Sequence, residues 1–132
     1  MARGAAITDG VFCCCMDARQ AQVYNAVFEK TGSELVRLRE DRAISLDDLC
    51  EDLQNIEKPI FLVGDGAQLC YNTCLDMGIP VVLAPGNLVS QSAWGVAMAA
   101  FGQTPAPAEE LLPVYLRLSQ AERERQARLA AQ

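Results

Sequence analysis

Apolar and polar positions along the first third of the chain predict three strands. Val11 to Met16 is apolar throughout and stops at Asp17, the pattern of a strand buried on both faces. Gln22 to Glu29 is rich in β-formers, with Val23, Tyr24, Val27 and Phe28. After the turn residues Thr31, Gly32 and Ser33, Val36 and Leu38 alternate with Arg37 and Arg39 over Leu35 to Arg39, which suits a strand wet on one face. The expected arrangement of these three is an antiparallel meander.

The period then lengthens. Ser45 stands as an N-cap before Leu46, Asp48 lies three residues on, and Leu46, Leu49, Cys50 and Leu53 recur at helical spacing. Lys58 and Pro59 stop this short helix. Ile60 to Val63 is a four-residue buried strand that runs into Gly64-Asp65-Gly66. A helix is expected from Ala67 to Met77, closed by Gly78, then a strand over Ile79 to Ala84. Asn87 is the expected cap of a helix over Leu88 to Phe101, with Val89, Ala93, Val96, Ala97 and Ala100 as its apolar face. Thr104 to Ala108 reads as a linker, Leu111 to Leu116 as extended chain, and Ser119 to Glu122 as a capping box opening a charged terminal helix. The order β-β-β-α-β-α-β-α predicts one α/β domain over residues 1–132, with 104–132 as linker, extended segment and last helix. Its fold is expected to be ribonuclease H-like: a mixed sheet of three antiparallel and two parallel strands, helices on both faces, and the first strand central.

Composition narrows the function classes. A chain of 132 residues with 51% apolar and 21% charged residues is large enough to fold around its own core and excludes a disordered polypeptide. Eleven Lys and Arg against 17 Asp and Glu give a net charge of −6, which disfavours autonomous binding to a polyanion such as tRNA or DNA. The absence of His removes the commonest general base and metal ligand, and any Ser–His or Cys–His nucleophile. No apolar run approaches the roughly 18 residues that span a bilayer, and the first residues do not read as a secretory signal. Three of the six cysteines, Cys13, Cys14 and Cys15, are adjacent inside an apolar run, so the thiols are read as buried and the expected compartment as the reducing cytoplasm.

In a sheet of this kind ligands meet the carboxyl ends of the parallel strands, where Met16-Asp17-Ala18-Arg19 and Gly64-Asp65-Gly66 arrive. Asp17 and Asp65, with Glu51 as a third ligand, could hold a divalent cation for phosphoryl hydrolysis. The plainer reading is two solvated carboxylates at strand ends, and the last sheet-covering helix adds none. Gly64 and Gly66 could cradle a nucleotide or simply make a tight strand-to-helix turn. The pattern lacks the third glycine of a dinucleotide fingerprint, and Asp65 puts negative charge where a phosphate would sit. Cys13, Cys14 and Cys15 point to alternate faces and cannot converge on one ion. Cys70 and Cys74 can share a helix face, with core packing set against a zinc or redox role. Tyr71 and Trp94 are expected to be core or edge residues, and the terminal Glu and Arg run a solvated face.

Three segments carry a family resemblance. Asp17-Ala18-Arg19 to Tyr24 resembles the Asp-Ala-Arg-x-x-Glu-Val-Tyr segment of the bacterial TsaB family of tRNA threonylcarbamoyladenosine biosynthesis proteins, with Gln22 where the family usually has Glu. Val63 to Ala67 is similar to its glycine turn, and Pro113 to Arg117, which includes Tyr115, to its C-terminal signature. The family is about twice this long, so the chain is expected to correspond to its C-terminal half. The resemblance implies a glycoprotease-like domain of the actin/hsp70-like ATPase superfamily, in which the first hairpin meets ATP phosphates and the fourth-strand turn meets adenosine. It further implies a non-catalytic scaffold without cofactor or metal, its nucleotide positions Asp17, Gly64, Asp65 and Gly66 degenerate. Asp17, Arg19, Tyr24, Tyr115 and Arg117 are its structural signature. The implied partners are a TsaD-like catalytic subunit, a TsaE-like ATPase and a possible second copy, with no membrane and no direct nucleic-acid contact. An active hydrolase, either a peptidase or an ATPase, is the competing reading.

Overall fold

The computed structural model describes residues 1–119, 121, 122, 125, 128 and 129. A short helix, α1 (Ala2–Ala5), precedes three long strands, β1 (Gly10–Asp17), β2 (Gln22–Thr31) and β3 (Glu34–Ser45). There follow α2 (Leu46–Leu53), β4 (Ile60–Val63), α3 (Ala67–Asp76) and β5 (Val82–Leu83), then α4 (Gly86–Val89), α5 (Ala93–Ala100) and a single 3₁₀ turn at Ala108–Glu110. The sheet order is β3-β2-β1-β4-β5. β1 pairs antiparallel with β2 and parallel with β4, β2 pairs antiparallel with β3, and β4 pairs parallel with β5. This is the mixed, ribonuclease H-like sheet expected, with β1 at its centre. No described helix is long and apolar enough to cross a membrane.

Period-2 alternation divides the core in two. Val11, Cys13 and Cys15 of β1, with Val23 and Val27 of β2, face α2 and α3 and pack on Leu49, Leu53 and Cys70. Phe12 and Cys14 face the other way, with Val63 and Ala84, under α1 and α4. Ser45 caps α2 as its spacing requires, its Oγ accepting the Asp48 N–H at 3.1 Å. At the far end of α3, Gly78 N–H donates to Leu75 C=O at 3.0 Å and Ile79 N–H to Cys74 C=O at 2.8 Å, the double closure of a Schellman motif.

Asn25 is a buried polar side chain in this core. Its Nδ2 donates to Cys14 C=O at 3.0 Å and reaches Cys13 Sγ at 3.3 Å. Its Oδ1 accepts from Arg42 Nε at 3.1 Å, and Arg42 Nη2 donates to Asp52 at 2.6 Å. Arg39 reaches the same carboxylate with Nε and Nη2, at 3.2 and 3.1 Å. These hydrogen bonds from Arg39, reinforced by Arg42, hold the Asp52 carboxyl below its ordinary range and tie β3 to α2.

Several boundaries differ from the sequence reading. β3 runs on to Ser45 rather than ending at Arg39, because an edge strand tolerates outward charge and Arg39 and Arg42 are drawn to Asp52. β5 keeps only two of the six residues expected over Ile79 to Ala84. The single helix expected over Leu88 to Phe101 is two: Ser90 is extended, and Ser92 rather than Asn87 caps α5, its Oγ accepting the Gly95 N–H at 3.1 Å. Of the face expected to be buried, Val89 packs against the core, but Ala93, Val96, Ala97 and Ala100 are exposed, Val96 at 65%; Trp94, expected as a core or edge residue, is 67% exposed. The capping box at Ser119 and Glu122 is formed. Of the charged terminal helix expected beyond it, Arg123 and Glu124 lie outside the described residues.

Burial pushes the Cys14 thiol up to about 11 and, together with its neighbour Cys74, the Cys50 thiol up to about 12. A raised folded-state pKa means the unfolded chain loses these protons first, so the stability they contribute is complete below the ordinary thiol value of 9.0 and drains away above it. The urea midpoint is expected to fall between about pH 9 and about pH 11, and Cys14→Ala to flatten that slope, in denaturation curves followed by circular dichroism.

Candidate functional site

The three segments singled out by the sequence meet at the carboxyl edge of β1 and β4. Asp17 closes β1, and its Oδ1 accepts the Arg19 N–H at 2.7 Å while Oδ2 takes the Arg19 guanidinium at 3.1 Å. Arg19, Gln20 and Ala21 then all adopt left-handed backbone, with φ of 64°, 56° and 54°. Non-glycine residues pay for that conformation, so neighbours must hold it. Gln22 N–H donates back to Arg19 C=O at 3.1 Å and Leu46 N–H to Ala21 C=O at 3.0 Å. From the C-terminal segment, Arg117 Nη1 donates to Ala18 C=O at 2.7 Å and Nη2 to Gln20 Oε1. Nothing in the spacing of Arg117, 99 residues from Ala18, announces this contact.

The glycine turn is packed against the end of β1. A Cβ on Gly64, whose φ is +108°, would stand 2.0 Å from Cys15 C=O, and one on Gly66 would stand 2.9 Å from the Asp17 nitrogen. Gly66 N–H donates to Cys15 C=O at 3.0 Å, and Asp65 Oδ1 accepts the Asp17 N–H at 3.2 Å. Both glycines therefore serve the close approach of two backbones within the chain. The N–H groups a phosphate would need are engaged by Cys15 and Asp65, and Asp65 lies immediately before the N-cap of α3, where its charge already complements the helix end.

Tyr24 is half-buried beside this edge and Tyr115 is 85% exposed. Both border a cavity of about 490 Å³ over the α1 face of the sheet, floored by Cys14 and Ala26. Glu51 lies exposed on α2, outside any described group of three ligating side chains close enough to share an ion.

Among the described residues, such a group is formed by Cys50, Cys70 and Cys74, whose sulfurs lie within 4.8 Å of one another. The sequence pairs Cys70 with Cys74 one turn apart; α2 adds Cys50, 2.9 Å from Cys74 across the helix interface. A thiolate ligand must lose its proton, and the fully enclosed site opposes that: the Cys70 hydrogen bond and burial push Cys74 up, and burial does the same for Cys50. Buried thiols of this kind pack as small hydrophobes do. Cys13 and Cys15 lie on the same side of the sheet and Cys14 on the other, as alternation requires.

No known protein family matches the chain, and no curated protein matches it. Among solved structures it is similar to the crystal structure of an uncharacterized protein with similarity to peptidase YEAZ from Pseudomonas aeruginosa, at 21% identity and a TM-score of 0.49. The match covers 83% of this chain and 50% of that one, so the chain spans half the length of that protein.

The close approach at Gly64 sets a testable difference. Gly64→Ala has a backbone carbonyl in its way and is expected to lose about 3 kcal/mol or more. Gly32→Ala, also left-handed but with nothing within 4 Å of its Cβ, is expected to lose only about 1 kcal/mol. Chemical denaturation of both variants against the parent chain measures the gap; equal losses would refute the packing account.

Proposed function

We propose that this chain is a non-catalytic partner subunit of the machinery that transfers threonylcarbamoyl to adenosine in tRNA, supporting a TsaD-like catalytic subunit alongside a TsaE-like ATPase in the cytoplasm. The observation that carries the non-catalytic half of this reading is the seam between Gly64-Asp65-Gly66 and the end of β1. Where the superfamily would receive a nucleotide, Cys15 C=O stands against Gly64 and the Asp65 carboxylate takes the Asp17 N–H. The side chains nearby offer no replacement chemistry: the chain has no His, and all six thiols are buried. What the edge presents instead is shape, a turn fixed by Asp17, Arg19 and Arg117 with Tyr24 and Tyr115 beside it. The partner role itself is supported by the three resembling segments, which lie far apart in sequence and come together here.

The reading predicts that isothermal titration with ATP and Mg²⁺ gives no binding tighter than about 100 μM, roughly −5.5 kcal/mol. It also predicts that adding the chain to TsaD-like and TsaE-like subunits raises threonylcarbamoyl incorporation into tRNA. Tight ATP binding, or hydrolysis of ATP or peptide by the chain alone, would replace this reading with the active hydrolase. Weak ATP binding with no effect on incorporation would remove the partner role while leaving the closed seam standing.

A further inference from the structure

The thiols of Cys50, Cys70 and Cys74 take no part in the sheet edge described above, and all three are buried where α2 and α3 share the core. Within the group, Cys50 Sγ and Cys74 Sγ stand 2.9 Å apart, against 4.0 Å for Cys70 and Cys74 and 3.6 Å for Cys13 and Cys15. Two sulfurs sharing a zinc ion are held roughly 3.8 Å apart by bonds of about 2.3 Å in tetrahedral geometry. The spacing of Cys50 and Cys74 lies between that and a sulfur–sulfur bond of about 2 Å. The pairs also differ in what holds them. Cys13 and Cys15 are two residues apart on β1, and Cys70 and Cys74 are one turn apart on α3, so each pair is kept at its distance by its own element. Cys50 and Cys74 come from different helices, and rotation of two side chains closes their gap.

We propose that Cys50 and Cys74 are a disulfide-forming pair, a modification site closed by a low-molecular-weight disulfide such as oxidised glutathione. One of the two thiols, as its thiolate, attacks the glutathione disulfide, forms a mixed disulfide and releases one glutathione; the second thiol then displaces the other. The protein pair gives up two electrons and two protons, and the glutathione disulfide takes them to become two thiols. The bond suits its surroundings. A disulfide carries no charge, whereas a metal ion would ask for buried thiolates among Leu49, Leu53, Leu62 and Ile79. Burial disfavours the attacking thiolate and so makes closure slow, and in a reducing compartment both thiols stay free. The two cysteines are 24 residues apart, and the loop between them carries β4 and Gly64-Asp65-Gly66. Closing it fastens α2, which Asp52 already ties to β3, to α3, which departs from the glycine turn, so oxidation stiffens both supports of that edge. Cys70, 4.0 Å from Cys74, remains a thiol. This inference does not depend on the role proposed above.

The full chain, first reduced and then equilibrated at neutral pH over a series of oxidised-to-reduced glutathione ratios, tests it. Alkylation is then expected to label four of the six cysteines, and the peptide map to show a Cys50–Cys74 link. The oxidised chain is expected to unfold at a urea midpoint higher by about 1 M, a shift that Cys50→Ala or Cys74→Ala abolishes and Cys70→Ala retains. The map is read on the parent chain, so it stands whatever the variants do. Six labelled cysteines at the most oxidising ratio, a link through any other cysteine, glutathione left attached, or an oxidised chain no harder to unfold than the reduced one would overturn the proposal.

Discussion

Where β1 ends and the turn after β4 begins, two stretches of backbone stand closer than any side chain would permit. Gly64 and Gly66 are there because Cys15 C=O and the Asp17 nitrogen occupy the space a Cβ would fill. This contact sets the depth at which β4 enters the sheet and the point from which α3 departs, and so which residues of α3 reach the core. Cys70 and Cys74 come to lie under β1 because the helix starts where the seam puts it. The same contact decides what the edge can do chemically. Beside Gly64 and Gly66 the space that a side chain would fill is taken by the chain's own backbone.

The core that grows from this seam is unusual in its sulfur content and ordinary in its logic. Five of the six thiols lie on the α2 and α3 side of the sheet, and burial pushes the Cys50 thiol among them up to about 12. One side chain that introduces polarity, Asn25, is satisfied on both ends, by Cys14 C=O and by Arg42. The penalty of an unmet amide at that depth is about 1–3 kcal/mol, so the Arg42 contact matters to the core as much as to the surface. Through Asp52 it also fastens the edge strand to α2.

Much of this is legible in the amino-acid sequence. The unbroken run from Val11 to Met16 marks the central strand, Ser45 and Asp48 mark the start of α2, and Gly78 marks the end of α3, because each is a local rule obeyed locally. The errors fall where distant residues decide. The length of β3 depends on Asp52, on another element. The break comes where Ser90 turns extended and the Ser92 hydroxyl takes the Gly95 N–H, which a run of apolar residues conceals. The outward turn of Val96 and Trp94 follows from Gly95 seeking close contact with Gly4, and α1 itself gave no periodic signal. Asn25 could have been found: an amide between inward-facing Val23 and Val27 asks what it bonds to. The cluster of Cys50 with Cys70 and Cys74 could not, since it requires knowing how two helices cross.

The left-handed run at Arg19, Gln20 and Ala21 has a consequence for how the molecule responds as a whole. None of the three would choose that backbone alone, and each forgoes about 1 kcal/mol to keep it. Their geometry is held by Asp17, Gln22 and Leu46 and, from the far end of the chain, by Arg117, which grips Ala18 and Gln20. Docking of the tail and shape of the hairpin are thus one equilibrium. Whatever draws the segment around Tyr115 away relaxes the loop that carries Arg19, and whatever seizes Arg19 in its present pose tightens the tail by an equal amount of free energy.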